Sequence, residues 1–233
     1  MESTIAIITA RGGSKRIPHK NIKEFCGKPI IEYSIQAARE AGIFDEVMVS
    51  TDDRIIAEIA ERAGASVPFL RSDESANDYA TTADVLREVL GQYRDMGRQF
   101  TYACCIYPTA PFITAQKLKQ GMELLKIENC DSVMPVTAFS FPPLRGMFFH
   151  EGKLKYKWQE YAMKRSQDLE EIYLDCGQFY LFCVDAFQKS GKLVTDNTVG
   201  MVIPELEVQD IDNETDWELA EAKYELLKKK GRL

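Results

Sequence analysis

Histidine is nearly absent: only His19 and His150 occur in 233 residues, and neither offers an obvious general base. The six cysteines, Cys26, Cys104, Cys105, Cys130, Cys176 and Cys183, contain no C-x-x-C pair and no histidine at zinc spacing. Most lie in apolar surroundings, so they read as buried, reduced thiols and not as metal ligands. No apolar run approaches the roughly 20 residues of a membrane-spanning helix, and no charged-then-apolar leader opens the chain. Internal repeats and low-complexity linkers are missing as well. A cytoplasmic protein without membrane contact is the expectation. A net charge of −7 disfavours general nucleic-acid binding.

The remaining composition is ordinary for a globular protein, with 45% apolar and 28% charged residues. The length suits one large α/β unit with an elaboration, so residues 1–233 are expected to form a single domain. Short apolar runs at 5–8, 47–50, 67–70, 102–107 and 132–136 alternate with amphipathic stretches at 29–41, 54–63, 82–96 and 115–127. Pro29 suits a first helical position, and Gly42 and Gly64 suit helix ends. This alternation predicts a doubly wound α/β fold with a mainly parallel, Rossmann-like sheet. From 139 to 176 the rhythm breaks into an aromatic- and proline-rich stretch that reads as an inserted element. Alternation resumes at 178–184, and a closing helix is expected over 216–229.

Against the acidic whole, seven basic side chains crowd into 18 positions directly after the first apolar run: Arg11, Lys15, Arg16, His19, Lys20, Lys23 and Lys28, with Glu24 opposing them. The place is the carboxyl end of the first strand, where such sheets bind ligands. Neither G-x-x-x-x-G-K-[ST] nor G-x-G-x-x-G occurs, so the two common nucleotide loops are excluded. The parts for a polyphosphate are nevertheless present. Gly12 and Gly13 permit a sharp bend that brings backbone N–H groups to an anion, and Ser14 adds a donor. Arg11 can engage phosphate with two parallel bonds, while Lys15 and Lys20 act as point charges.

The stretch A-R-G-G-S-K-R-I-P-H-K-N at 10–21 resembles the signature loop of the sugar-acid cytidylyltransferases, which make CMP-activated sialic acids. The likeness continues in V-S-T-D-D (49–53), F-L-R (69–71), Y-P-T-A-P-F (107–112) and D-I-D (210–212), in the family's order over nearly the whole chain. It implies that Ala10, Arg11, Gly12, Gly13, Ser14, Lys15, Lys20 and Asn21 contact CTP, and that Arg71, Thr81 and Thr82 face the base. Thr81, with Asp84 three residues on, equally fits a helix N-cap. Within the family, R-S-Q-D-L-E-E-I-Y-L-D-C-G-Q-F-Y (165–180) is most similar to the branch acting on pseudaminic acid. Tyr107 stands where the N-acetylneuraminate branch has glutamine.

Asp210 and Asp212, two apart in an extended stretch, project to one side and suit Mg²⁺, and the resemblance assigns the matching aspartates to the metal. Turn formation before a Thr215–Glu218 capping box is the structural alternative. The nine-carbon sugar acid is expected at Tyr107, Thr109, Arg165, Gln167, Gln178 and Tyr180. A guanidinium such as Arg165 matches a carboxylate, although Asp168 or Glu170 could pair with it instead. Packing alone would also explain the two tyrosines. The implied reaction is attack of the sugar's anomeric hydroxyl on the α-phosphorus of CTP with loss of pyrophosphate, Arg11, Lys20, Asp210 and Asp212 being catalytic. The resemblance makes the inserted element a dimerisation arm, hence a homodimer. The competing readings are the same reaction on N-acetylneuraminate, legionaminate or 3-deoxy-octulosonate, a nucleotidyltransferase making UDP- or GDP-sugars, and a non-catalytic nucleotide-binding protein.

Overall fold

The computed structural model describes residues 2–232. Eleven strands form in chain order: β1 Thr4–Thr9, β2 Glu24–Phe25, β3 Lys28–Pro29, β4 Glu46–Ser50, β5 Tyr102–Ile106, β6 Ser132–Ala138, β7 Met147–His150, β8 Lys153–Tyr156, β9 Tyr173–Asp175, β10 Phe179–Cys183 and β11 Thr198–Val202. The helices are α1 Ile31–Ala41, α2 Arg54–Arg62, α3 Asp73–Ala76, α4 Thr82–Asp95, α5 Ala115–Ile127, α6 Val184–Ser190 and α7 Glu214–Lys229. One seven-stranded sheet runs in the order β11-β6-β10-β5-β1-β4, with β9 on β6.

Strand side chains alternate between faces, and here both faces are covered. Ala6 and Ile8 of β1 pack with α1, α2 and α5 on one side. Ile5 and Ile7 pack with α4 and α6 on the other. That is the doubly wound arrangement. A third cluster forms where α7 lays Trp217 and Tyr224 edge-on against Phe25, with ring centroids 5.6 and 5.5 Å away.

The sheet is mixed rather than mainly parallel, because β10 runs antiparallel to both β5 and β6. β9 also runs antiparallel to β6, so β9 and β10 follow one another along it. Gly177, with φ 59°, marks the break between them. The chain returning from the inserted element therefore enters the sheet without a crossover helix.

Three expected elements differ. Pro29 does not open a helix: a tight turn through Cys26 (φ 45°) and Gly27 (φ 99°) pairs it with Glu24, and α1 starts at Ile31. Residues 67–70 form no strand. Ser66 makes a single parallel bridge to Met48, and Pro68, lacking an N–H, cannot continue the ladder. The capping box of α7 uses Asn213 and Asp216 instead of Thr215 and Glu218, so the helix begins two residues before the expected start. Gly42 ends α1 in the left-handed region as expected, at φ 62°. Within the insertion, β7 and β8 form a separate hairpin that leaves Phe149 75% exposed, and Phe141 in the loop before it is 85% exposed.

Candidate active site

β1 is flanked by β4, reached through α1 on one face, and by β5, reached through α4 on the other. Strand order reverses there, which opens a crevice at the carboxyl ends. Arg11, Ser14, Lys15 and Lys20 line this cavity of about 340 Å³, with Arg71, Thr82, Tyr107 and Thr109 across from them.

The basic loop is built by contacts between distant segments. Buried Asn21 donates from Nδ2 to the Arg11 carbonyl at 2.8 Å, and the Gly12 N–H donates to Asp52 at 2.9 Å. A Cβ on Gly12 would sit 3.0 Å from the Asp53 side chain, so close approach to the T-D-D segment is what requires glycine. Gly13 has open space at that point, and neither glycine adopts the left-handed region; His19 does, at φ 52°. Of the backbone donors expected to meet an anion, the Gly12 N–H is engaged by Asp52, and the Ser14 N–H donates to Gly12 O at 3.0 Å. Ala10 is fully buried and contributes through its N–H, which donates to Ser50 O at 2.9 Å.

Arg71 ties the same corner from above. Its backbone N–H donates to Thr51 O at 2.8 Å, Nε donates to Ser50 Oγ at 3.1 Å and Nη2 to Ser50 O at 2.6 Å. Burial draws this guanidinium below its ordinary pKa, with Asp52 and Glu88 opposing. Of the threonine pair, Thr82 reaches the cavity, with Oγ1 3.3 Å from the Tyr107 hydroxyl. Thr81 does not line it. It caps α4, accepting from the Asp84 N–H while the Asp84 carboxylate accepts from the Thr81 N–H.

Each cation of the loop faces an acid. Asp78 pairs with Arg11 at 3.0 Å and Lys15 at 2.5 Å; Asp212 pairs with Arg16 at 2.7 Å and lies 4.0 Å from Lys20. Lys20 also donates to Ile211 O at 2.6 Å. Burial draws its ammonium below the ordinary pKa, against Asp212 and Asp210. Asp78 escaped the sequence reading because its partners lie 63 and 67 residues away and no spacing rule joins them.

Ile211 is buried between Asp210 and Asp212, and both acids act electrostatically on Lys20; Asp210 lines a second cavity, and neither is among the residues lining the crevice. Burial first and the Asp212 charge second hold Asp210 above the usual carboxylate range. Among the described residues no cluster of three or more His, Cys, Asp or Glu forms a ready-made metal cage.

The sugar residues are divided. Tyr107 and Thr109 line the crevice. Tyr180 is buried behind Tyr107, edge-on with ring centroids 5.7 Å apart, and donates its hydroxyl to Asp175 at 2.5 Å. Burial, then Tyr107 and Asp175, push its pKa far up. Gln178 is buried too, its Nε2 donating to Glu207 O at 2.7 Å and its Oε1 left without a partner. Arg165 does not line the crevice: it is an exposed residue of the insertion, forked onto Asp168 at 2.7 and 3.0 Å, and Gln167 is exposed beside it. A second cavity of about 300 Å³ includes Asp175, Asp210 and Lys223. Nothing in the spacing of Asp175 announces that place.

All six cysteines are free. Burial raises the thiols of Cys105 and Cys176 to about 12, as inert core groups require.

This geometry can be set beside known proteins. The family model for cytidylyltransferases matches residues 5–176. A pseudaminic acid cytidylyltransferase of Campylobacter jejuni is 37% identical over 95% of this chain and 96% of its own. The CMP-N,N'-diacetyllegionaminic acid synthase of Legionella pneumophila is 31% identical over 95% and 96%. A solved CMP:2-keto-3-deoxy-manno-octonic acid synthetase, complexed with CTP, shares the fold at a TM-score of 0.70 and 16% identity, covering 97% of this chain and 99% of the other. With the family model spanning most of the chain and the C. jejuni relative matching nearly end to end, the chain belongs to the cytidylyltransferase family.

Proposed function

We propose that this protein transfers CMP from CTP to the anomeric hydroxyl of pseudaminic acid, giving CMP-pseudaminic acid and pyrophosphate. The observation that carries the reading is the basic crevice at the switch point, in a chain 37% identical to a pseudaminic acid cytidylyltransferase. The hydroxyl oxygen attacks the α-phosphorus in line, the bond to the β-phosphate oxygen breaks, and pyrophosphate leaves. No covalent enzyme intermediate is needed. Arg11, Lys15 and Lys20 hold the phosphates and offset charge on the leaving group, and Arg71 and Thr82 face the base.

Asp210 and Asp212 fit Mg²⁺ by the chemistry of their donor set: two hard carboxylates two residues apart, with the pKa of Asp210 raised by burial first and by its like-charged neighbour second. Mg²⁺ commonly takes one or two carboxylates and completes its shell with water and substrate phosphate. A bound ion there would neutralise phosphate charge as pyrophosphate forms. The exposed hairpin aromatics support a homodimer through the insertion, since apolar surface of this kind is usually buried by a partner. Six free thiols fit a reducing compartment such as the cytoplasm.

The test is pyrophosphate release with CTP and Mg²⁺, run in parallel with pseudaminate, a diacetyllegionaminate and N-acetylneuraminate. Release with pseudaminate in strong preference is expected. Preference for diacetyllegionaminate, which the 31% relative makes the second candidate, would move the sugar assignment and leave the nucleotide chemistry standing. Equal use of UTP would overturn the cytidine reading.

A further inference from the structure

The phosphate-facing cations are already paired. Arg11 and Lys15, which line the cavity, converge from one side on the single carboxylate of Asp78, at 3.0 and 2.5 Å. These contacts hold Asp78 below the usual carboxylate range, the Lys15 bond being the largest cause. Two oxygens of one anion thus sit between the two donors expected to grip a phosphate.

The segment carrying Asp78 is anchored at both ends and folded on itself between them. On the near side the Ser72 N–H and hydroxyl donate to Glu88 of α4 at 2.9 and 2.8 Å. On the far side Thr81 is locked by the cap of α4. Between them Asn77 closes a tight turn, its Oδ1 accepting from the Tyr79 and Ala80 N–H groups and its Nδ2 donating to Glu74 O. Asp78 is at the tip, its side chain 46% exposed, and Tyr79 next to it is 93% exposed. Neither anchor involves Asp78 itself.

We propose that Asp78 acts as an internal stand-in for phosphate, which substrate displaces from Arg11 and Lys15 by charge exchange. A polyphosphate that reaches both cations breaks both contacts, whereas a nucleoside monophosphate that reaches fewer of them breaks fewer. Asp78 thereby lowers affinity for the triphosphate more than for the monophosphate. The proposal rests on the nucleotide reading of the crevice above.

Calorimetric binding of CTP, CMP and inorganic tripolyphosphate at fixed ionic strength, with chelator present, tests it on the intact protein and on Asp78→Asn. Exposed ion pairs are individually weak, so the expected tightening is about threefold to tenfold for CTP and tripolyphosphate and smaller for CMP, with the CTP-to-CMP ratio increased. Glu74→Gln removes the same charge from the same segment and should leave binding nearly unchanged. In a Lys15→Met background the gain from Asp78→Asn should shrink, because one of the two contacts is gone. Unchanged or weaker binding by Asp78→Asn, an equal gain from Glu74→Gln, or a gain undiminished by Lys15→Met would each overturn the proposal. Tripolyphosphate tightened as expected while CTP is no better bound than UTP, measured in parallel by the same calorimetry, would retain the exchange and sink the cytidine reading.

Discussion

The crevice and the β7–β8 hairpin solve opposite problems. In the crevice, charge from residues far apart in sequence is balanced inside the chain: Asp78 answers Arg11 and Lys15, and Asp212 answers Arg16 and Lys20. In the hairpin, eight residues next to one another in sequence make their own strand pair, yet Phe149 and Leu154 stay exposed with no apolar layer above them. Charge can be neutralised by a few well-placed acids and later exchanged for a ligand. Apolar area needs a covering surface, and the hairpin has none within its own chain.

Four experiments would sharpen or break this contrast. Arg11→Ala should lower the turnover of CTP by about a hundredfold to a thousandfold while the thermal midpoint barely moves, as expected for a group that meets charge developing in the transition state. A proportional fall in stability would mean that the loop's cations hold the fold together instead.

The buried counterpart should behave the other way. Lys117 pairs with Glu207 at 2.8 Å and donates to Phe112 O at 2.7 Å, both side chains nearly inaccessible. Lys117→Met leaves Glu207 without this partner and should lower unfolding stability by about 3 kcal/mol in urea titrations. Arg232 also contacts Glu207 and offsets part of that loss. The double variant Lys117→Met, Glu207→Leu should recover a good share.

On the hairpin, Phe149→Glu should convert a dimer to a monomer in light scattering at micromolar concentration and leave CTP binding intact. If the wild-type chain is already a monomer there, the hairpin's apolar surface has another use. The smallest expected effect is at the crevice rim. Thr81→Ala should cost about 1 kcal/mol of stability through the lost cap of α4, with no change in CTP affinity. A clear loss of affinity would return Thr81 to the base site.

A pH profile adds a signed check on the proposed role of the Asp210–Asp212 pair. Asp210 is held above the usual carboxylate range by burial and then by Asp212, so it protonates at a higher pH than an ordinary aspartate as acid is added. The acid limb of the rate should therefore lie above that of a free carboxylate, and raising Mg²⁺ should draw it back down, because the ion favours the ionised form.

Much of this was legible in one dimension. Alternating apolar runs named β1, β4, β5 and β6 and the helices between them, because burial on both faces of a strand leaves an unmistakable hydrophobic run. The basic stretch at 11–20 marked the crevice, since a glycine-flanked cationic loop after a first strand has few other uses. Missed were α6 and β11, which are short and lack a clean period. The strand expected at 67–70 failed for the opposite reason: its residues suit a strand but find no neighbour beyond the one bridge at Ser66.

Local chemistry thus settled which residues carry charge, which are buried and where the basic loop lies, because these follow from side-chain type and period. Pairing across the fold lay beyond it. That Arg165 turns to Asp168, that Tyr180 backs Tyr107 and donates a hydrogen bond to Asp175, and that Asp78 meets Arg11 and Lys15 depends on which loops the sheet brings together. Hydrogen bonds and ion pairs reach only a few ångströms, so partners tens of residues apart are chosen by the folded backbone.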